Sequence, residues 1–162
     1  MKTLIVIRHG KAEKKKFGEL DSKRKLTSSG ILEVENMAKR LLEKNYQIEK
    51  IFSSSAERTR QTSKIFALIH QVEDDRIQYF DSLYLSDASH IVETLYHIQD
   101  EVQTLAIVGH NPGVTHFSCS VTHSYSVILP PAGIAVIKAH CDDWTQFEAA
   151  NKTLVEVLLP TP

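Results

Sequence analysis

The sequence predicts an α/β fold in which a mostly parallel, mixed sheet lies between two layers of helices. Short apolar runs of the kind that form buried strands alternate with segments whose apolar residues recur at helical spacing. The last third of the chain has three apolar runs without intervening helices, which favours antiparallel additions to that sheet. The 162 residues, of which 42% are hydrophobic, suit a single domain over 1–162 with one full core.

Two strand–helix pairs are predicted in the first seventy residues. The first strand covers 3–7, and Thr27 begins the helix that follows, since its hydroxyl can cap the free amides of a first turn. The second strand lies around 48–52, and the second helix covers 56–70. The apolar positions that define the two helices are Ile31, Val34, Ala38 and Leu41 in the first and Ile65, Phe66, Leu68 and Ile69 in the second.

The rest of the chain continues the alternation and then departs from it. The predicted elements are a strand at 77–80, a helix at 88–99, a strand at 105–108 and a helix marked by Val114, Phe117 and Val121. The closing runs Val127–Leu129, Ile134–Ile137 and Leu154–Leu158 are predicted as edge strands.

Composition excludes several function classes. A formal net charge of −1 argues against a general nucleic-acid binder, so any affinity for anions must be local. The four apolar residues before Arg8 are too few for a signal-peptide core, and no later run approaches membrane-spanning length. Cys119 and Cys141 form no Cys-x-x-Cys pair, which favours a reducing, cytoplasmic location.

Histidine and arginine follow three of the predicted strands. Arg8 and His9 come directly after the first strand, Arg58 follows the second, and His110 follows the strand at 105–108. The carboxyl ends of parallel strands meet at one edge of a sheet, where open α/β folds bind their ligands. We therefore expect these four side chains to converge on one anion site.

These residue types suit phosphoryl transfer without a metal. Arginine presents a planar, permanently charged fork that matches phosphate, which predicts that Arg8 and Arg58 bind phosphoryl oxygens. Neutral His9 can attack phosphorus through one ring nitrogen, and His110 can donate a hydrogen bond to a phosphoryl oxygen. Gly10 and Gly109 lack side chains beside the histidines, which predicts a close approach of both loops to the phosphate.

Motifs over nearly the whole chain resemble the histidine phosphatase superfamily, which has the phosphoglycerate mutase-like fold. Within it, the chain is similar to the small bacterial phosphohistidine phosphatases of the SixA type. The opening strand and Arg-His-Gly motif are Leu4–Lys11, and Ser53–Thr62 is close to the family's Ser-Ser-Pro-Ala-x-Arg-Ala-x-Gln-Thr. The matching segments further include Val108–Gly113, Pro131–Ala135 and Arg24–Thr27, where Lys25 replaces the family's proline.

The resemblance implies a role for each of these side chains. It makes His9 the nucleophile that forms a covalent phosphohistidine, Arg8 and Arg58 phosphate ligands, and His110 the second histidine. It also implies that Arg24 lines the pocket, and that the reaction uses neither metal nor cofactor.

An expected carboxylic acid is missing from the segment after the third strand. Mutases and many phosphomonoesterases of this superfamily carry a Glu or Asp there, because an alkoxide leaving group must be protonated. This segment instead offers Asp81 and Asp87, which are interpreted as a turn residue and a neighbour of a helix cap. Imidazole leaves more easily than an alkoxide, so the missing acid favours a P–N bond over a phosphate ester.

The small size of the chain predicts an open pocket that admits a phosphorylated protein, such as a histidine-containing phosphotransfer domain. The residues available for substrate contacts are 11–26 and the loop near 81–90. Lysines in the first loop either dock such a partner or simply form a solvated basic loop. Two further functions stay open: a phosphatase of small phosphate esters that uses Asp81, Asp87 or water as the acid, and a catalytically silent module that binds phosphoproteins.

Overall fold

The computed structural model describes residues 1–99 and 101–162 and contains a six-stranded sheet with helices on both faces. The strands are β1 (Lys2–Arg8), β2 (Lys50–Ser54), β3 (Ile77–Phe80), β4 (Thr104–Gly109), β5 (Ile134–Ala139) and β6 (Lys152–Leu158). The helices are α1 (Ser28–Glu43), α2 (Glu57–His70), α3 (Ala88–Leu95) and α4 (Gly113–Thr122), and Thr27 caps α1 as the sequence predicts.

The strand order is β3-β2-β4-β1-β5-β6. The four strands from β3 to β1 are parallel to their neighbours, whereas β5 runs antiparallel to both β1 and β6. The predicted α/β class with a mostly parallel, mixed sheet is confirmed. Because β1 and β4 are adjacent and parallel, their carboxyl ends lie side by side.

Alternate residues of β1 pack against different helix layers. Leu4 and Val6 belong to the core that contains residues of α3 and α4. Ile5 and Ile7 belong to the core that contains residues of α1 and α2. A strand that is buried on both faces is uniformly apolar, which explains why the run before Arg8 shows no polar alternation.

Two predictions about the closing strands are wrong. The segment Val127–Leu129 forms no strand: the Leu129 carbonyl accepts hydrogen bonds from the side chains of Arg8 and Asn111 rather than from a strand. Its alternating burial imitates a strand, since Val127 and Leu129 are buried and Ile128 is exposed. The predicted edge strand Ile134–Ile137 lies in β5, which is not at an edge of the sheet because it lies between β1 and β6.

Two helix predictions also need correction. The helix predicted over 88–99 ends at Leu95, where the chain tightens into hydrogen bonds between residues three apart. In α2, Phe66 is buried but Leu68 is exposed. Leu68 is two residues and therefore about 200° around the helix from Phe66, which places it on the solvent side.

None of the helices in the described part of the chain is long and apolar enough to cross a membrane. Both cysteines are free thiols; Cys141 is buried and Cys119 is partly buried.

Candidate functional site

The site lies where β1, β2 and β4 end beside one another. Arg8 pairs with Gly109 across the last register position of β1 and β4. The next amide, that of His9, donates to the Gly109 carbonyl at 3.1 Å. This bond holds the loop after β1 against the end of β4, and the ring centroids of His9 and His110 lie 5.1 Å apart.

Arg58 reaches the two histidines from the first turn of α2, where its side chain is buried. Its Nε donates to Nε2 of His9 at 3.3 Å. The structure thus brings together three of the side chains predicted to form the site, from three different strand ends.

Two contacts assign the same tautomer to His9. The Gly10 carbonyl is 2.7 Å from Nδ1, and because a carbonyl only accepts, Nδ1 carries the ring proton. Nε2 is then unprotonated, which fits the N–H that Arg58 directs at it. The lone pair of Nε2 therefore faces the site.

The protein keeps His9 neutral. The pKa of His9 is lowered from 6.5 to about 4, mainly by burial and also by the charges of Arg58, Arg8 and Arg24, against an opposing effect of the Gly10 carbonyl. At neutral pH Nε2 is therefore unprotonated, and its lone pair becomes free to react when a bound anion takes over the hydrogen bond from Arg58.

Asp21, which the sequence analysis does not single out, holds Arg58 in this orientation. Nη1 of Arg58 donates to the Asp21 backbone carbonyl at 2.9 Å, and Nη2 donates to Asp21 Oδ2 at 3.0 Å. With both terminal nitrogens engaged, the guanidinium presents Nε to His9.

Asp21 also joins Arg24 and Tyr84 to the site. Nη1 of Arg24 donates to Asp21 Oδ1 at 2.9 Å, and the Tyr84 hydroxyl donates to Asp21 Oδ2. The hydrogen bond from Tyr84, followed by those from Arg24 and Arg58, holds the pKa of Asp21 far below its usual range, against the effect of partial burial. Asp21 is consequently an ionised carboxylate at any physiological pH.

His110 lies at the end of β4 and is buried. Its Nε2 is 2.8 Å from the hydroxyl of Ser54, the last residue of β2. Nδ1 of His110 is buried and has no hydrogen-bond partner among the residues that the structure describes. Burial and the nearby positive charges lower the pKa of His110 to about 3, so the ring is neutral and carries one proton.

Hydrogen-bond accounting at Ser54 indicates where that proton lies. The Ser54 hydroxyl already accepts from the Ala56 amide at 3.3 Å, and the residue is fully buried. If Ser54 also accepted from His110, its own hydrogen would be left buried without an acceptor, which costs about 1–3 kcal/mol. We assign the arrangement in which Ser54 donates to Nε2 and the ring proton of His110 lies on Nδ1, because the donor then left without a partner is an N–H that a bound anion can satisfy.

Arg8 is anchored differently from Arg58. Its Nη1 donates to the Leu129 carbonyl at 3.0 Å. Its Nε is buried and has no partner within the described residues. Arg8 therefore retains a donor at the end of β1 that no group in the described part of the chain satisfies.

The glycines beside the histidines have a packing role. A Cβ at Gly10 would come within 2.5 Å of a methyl group of Val34 in α1, and one at Gly109 within 2.8 Å of a methyl group of Val114 in α4. The structure therefore gives these glycines a different reason from the predicted approach to phosphate: helices pack closely against both loops.

The two carboxylates considered as acids differ in position. Asp87 caps α3, and its side chain accepts from the amides of Ser89 and His90, as expected near a helix cap. Asp81 accepts a hydrogen bond from the Ser55 hydroxyl and lines an open cleft of about 570 Å³ together with Tyr84. Asp81 thus lies in a cleft that adjoins the site, whereas Asp87 caps a helix.

Sequence reasoning missed Asp21, Ser54 and Tyr84. Asp21 lies three residues before Arg24, a spacing that allows an ion pair within one turn, and this was the available signal. Ser54 carried a weaker signal, as the end of a buried strand that precedes Arg58. No group of three or more His, Cys, Asp and Glu side chains in residues 1–99 and 101–162 is arranged to hold a metal ion.

Comparisons of sequence relate the chain to known proteins. Residues 4–81 match the family model of the histidine phosphatase superfamily (branch 1). An uncharacterised protein of Mycobacterium leprae is 29% identical over 150 residues, which cover 86% of this chain and 89% of that protein.

Solved structures share the fold over its full length. A SixA protein from Agrobacterium tumefaciens has a TM-score of 0.81 at 25% identity, with 98% of each chain covered. The protein histidine phosphatase SixA in complex with tungstate has a TM-score of 0.83 at 20% identity, with 98% of this chain and 97% of that chain covered. The likeness therefore extends well beyond the matched residues 4–81.

Proposed function

We propose that this chain, which belongs to the histidine phosphatase superfamily and is a phosphatase, removes phosphoryl groups from phosphohistidine in proteins. In this proposal His9 carries the phosphoryl group as a covalent intermediate, and the reaction uses no metal. Arg8, Arg58 and His110 bind the phosphoryl oxygens, and Arg24 lines the pocket. The tungstate held by a SixA relative is a tetrahedral oxyanion like phosphate, which supports an anion site in this fold.

The proposal rests on the orientation and the protonation state of the His9 ring. Nδ1 is held by the Gly10 carbonyl, and burial keeps the ring neutral, so a lone pair on Nε2 is available next to Arg58. A nucleophile whose orientation and protonation are fixed in advance needs little reorganisation when the substrate binds.

The first step exchanges one P–N bond for another. Nε2 of His9 attacks phosphorus, and the P–N bond of the substrate breaks with its electron pair returning to the substrate's ring nitrogen. A substrate ring that is protonated on its other nitrogen leaves as neutral imidazole. His9, with its proton retained on Nδ1, becomes a phosphorylated imidazolium whose N–H is bound by the Gly10 carbonyl.

The second step is hydrolysis. The oxygen of a water molecule attacks the phosphorus, the bond to Nε2 breaks, and His9 recovers its lone pair. Both protons of the water leave on the product, dihydrogen phosphate. Positive charge from Arg8 and Arg58 offsets the negative charge on the phosphoryl oxygens in both steps.

The proton balance supports a P–N substrate. Neither step above requires a protein acid, whereas cleavage of an ester would release an alkoxide that needs a proton. Asp21, the carboxylate bonded to Arg58, is ionised and has no proton to donate. The alternative, a phosphatase of small esters, is supported by Asp81, which lines the cleft beside Tyr84.

The test compares three substrates and two variants. Purified protein is incubated with free phosphohistidine, with a histidine-phosphorylated phosphotransfer domain and with para-nitrophenyl phosphate. We expect both P–N substrates to be hydrolysed in the presence of EDTA, and His9→Gln to lose on the order of 10⁴-fold in kcat. His116→Gln, on an exposed position of α4, is the matched control.

Each outcome separates the candidate functions. Trapping of an acid-labile phosphoenzyme in the wild type but not in His9→Gln would support the intermediate, and full turnover by His9→Gln would refute it. Faster turnover of the aryl ester than of either P–N substrate would favour the small-ester phosphatase. Binding of the phosphorylated domain without turnover would favour the silent module.

We further propose a cytoplasmic location. The free thiols of Cys119 and Cys141 support it, because reduced cysteines are usual in that compartment.

A further inference from the structure

Exposed apolar side chains cluster on three loops around the candidate site. The loops are 11–27 after β1, 81–87 after β3 and 123–133 after α4. They carry five of the eleven exposed large hydrophobic side chains found in the described residues. These five, which we call the apolar rim, are Phe17, Leu20, Leu85, Tyr125 and Ile128.

Three rim residues are direct chain neighbours of groups in the site. Leu20 precedes Asp21, which holds Arg58. Leu85 follows Tyr84, which contacts both Asp21 and His110. Since adjacent Cα atoms are about 3.8 Å apart, the backbone of Leu20 and Leu85 lies directly beside these groups of the site.

The third loop repeats this arrangement. Ile128 precedes Leu129, whose carbonyl binds the side chains of Arg8 and Asn111. The side chains of Leu85 and Ile128 are 86% and 75% exposed, so neither is covered by the protein itself. Apolar groups concentrated around an opening indicate a surface that another molecule covers.

One of the three loops, 11–27, is strongly basic. Residues 11–27 hold seven basic and three acidic side chains, although the whole chain has a net charge of −1. Six of the basic side chains are exposed lysines, namely Lys11, Lys14, Lys15, Lys16, Lys23 and Lys25. One of the acidic ones, Asp21, is already paired with Arg24 and Arg58.

We propose that the apolar rim and these lysines dock a phosphorylated protein whose phosphohistidine is surrounded by an apolar patch flanked by acidic side chains. This rests on the proposed function, which it extends from the phosphoryl group to the protein that carries it. A free metabolite would not cover three loops, whereas a folded domain can span them. An anionic membrane would also attract lysines and apolar groups, but one seated on the rim would close the route to His9.

The test measures kcat/KM for a histidine-phosphorylated phosphotransfer domain and for free phosphohistidine with the same preparations. The apolar variants are Leu85→Ser and Ile128→Ser, and the charge variant combines Lys14→Glu and Lys15→Glu. Leu68→Ser is the matched apolar control, since Leu68 is 81% exposed and lies about ten residues, or roughly 15 Å, along α2 from Arg58. Lys39→Glu combined with Lys64→Glu controls for net charge at exposed helix positions.

We expect each docking variant to lose on the order of tenfold in kcat/KM for the protein substrate and less than twofold for free phosphohistidine. The controls keep both values. Turnover of the protein substrate by wild type falls with added salt, and the lysine variant shows a weaker salt dependence because fewer charges attract the partner.

Four results would overturn the docking proposal. These are unchanged protein turnover in all three variants, equal losses on both substrates, turnover of free phosphohistidine alone, and binding to anionic vesicles that depends on the same residues. The first, second and fourth results leave the proposed function standing, because the protein substrate is still hydrolysed, whereas turnover of free phosphohistidine alone also refutes the protein substrate of the proposed function. Failure of wild type to hydrolyse either P–N substrate refutes the proposed function, and the docking proposal with it.

Discussion

His9 and His110 end neighbouring strands, but their surroundings leave different ring nitrogens unprotonated. At His9 a carbonyl holds Nδ1, so that nitrogen must be the donor and Nε2 keeps its lone pair. At His110 a serine hydroxyl holds Nε2, which leaves the proton on the unpartnered Nδ1. Both rings are kept neutral by burial, with the pKa at about 4 and about 3 respectively.

The difference shows how two identical side chains can be given complementary tasks. The group that occupies one ring nitrogen decides what the other can do: a carbonyl produces a nucleophile and a hydroxyl donor produces a hydrogen-bond donor. In the proposed mechanism, His9 therefore attacks phosphorus while His110 donates to a phosphoryl oxygen.

The contact between Arg58 and His9 depends on Asp21, which holds Arg58 in place. Asp21→Asn removes the charge that holds both terminal nitrogens of Arg58, so the guanidinium can turn its Nε away from His9. We expect kcat/KM for free phosphohistidine to fall by about 10–100-fold, because an oriented charged donor is lost. Steady-state kinetics on the folded variant measures the effect.

Asp75→Asn is the matched control, since Asp75 is exposed in the short helix before β3. Activity of Asp21→Asn within twofold of wild type would show that Arg58 keeps its orientation without this carboxylate.

The His110 side depends on Ser54. Ser54→Ala removes the donor to Nε2, so the two tautomers of His110 become closer in energy and the Nδ1–H form loses its preference. Loss of one neutral hydrogen bond, worth about 1 kcal/mol, predicts a fall in kcat of roughly fivefold to tenfold. ¹⁵N NMR of the imidazole reads the tautomer directly.

The neighbouring buried serine provides the control for Ser54. The Ser53 hydroxyl donates to the Ser54 backbone carbonyl and not to a histidine ring, so Ser53→Ala is expected to leave the tautomer unchanged. A wild-type spectrum with the proton on Nε2 would contradict the assignment at Ser54.

The histidines were predictable from sequence, but the groups that differentiate them were not. Each histidine follows a buried apolar strand, so a local pattern places it at the edge of the sheet. Asp21 meets Arg58 and Tyr84 from 37 and 63 positions away, and that encounter depends on how the loop after β1 folds. Likewise, Val127–Leu129 has a strand pattern, but its carbonyl binds Arg8 instead of a neighbouring strand.

The smallest of the expected effects is a pH dependence of the free energy of unfolding, caused by the lowered pKa of His9 and His110. Both histidines have a folded-state pKa below the unfolded value of 6.5, so between about pH 4 and 6.5 the unfolded chain binds more protons. The free energy of unfolding therefore rises with pH in this window, by up to about 1.4 kcal/mol per pH unit for each histidine. His70, which burial also keeps at a lowered pKa, adds to the same slope.

Urea unfolding at pH 4.5, 5.5 and 7.5 tests this in the wild type and in the double variant His9→Gln/His110→Gln. The ionised carboxylates contribute to the slope in both proteins, so the difference between the two proteins isolates the two rings. We expect the double variant to lose part of the slope between pH 4.5 and 5.5 while His70 retains its share. Identical slopes would mean that the two rings are protonated in the folded protein as readily as in the unfolded chain, which would contradict the lowered pKa of both histidines.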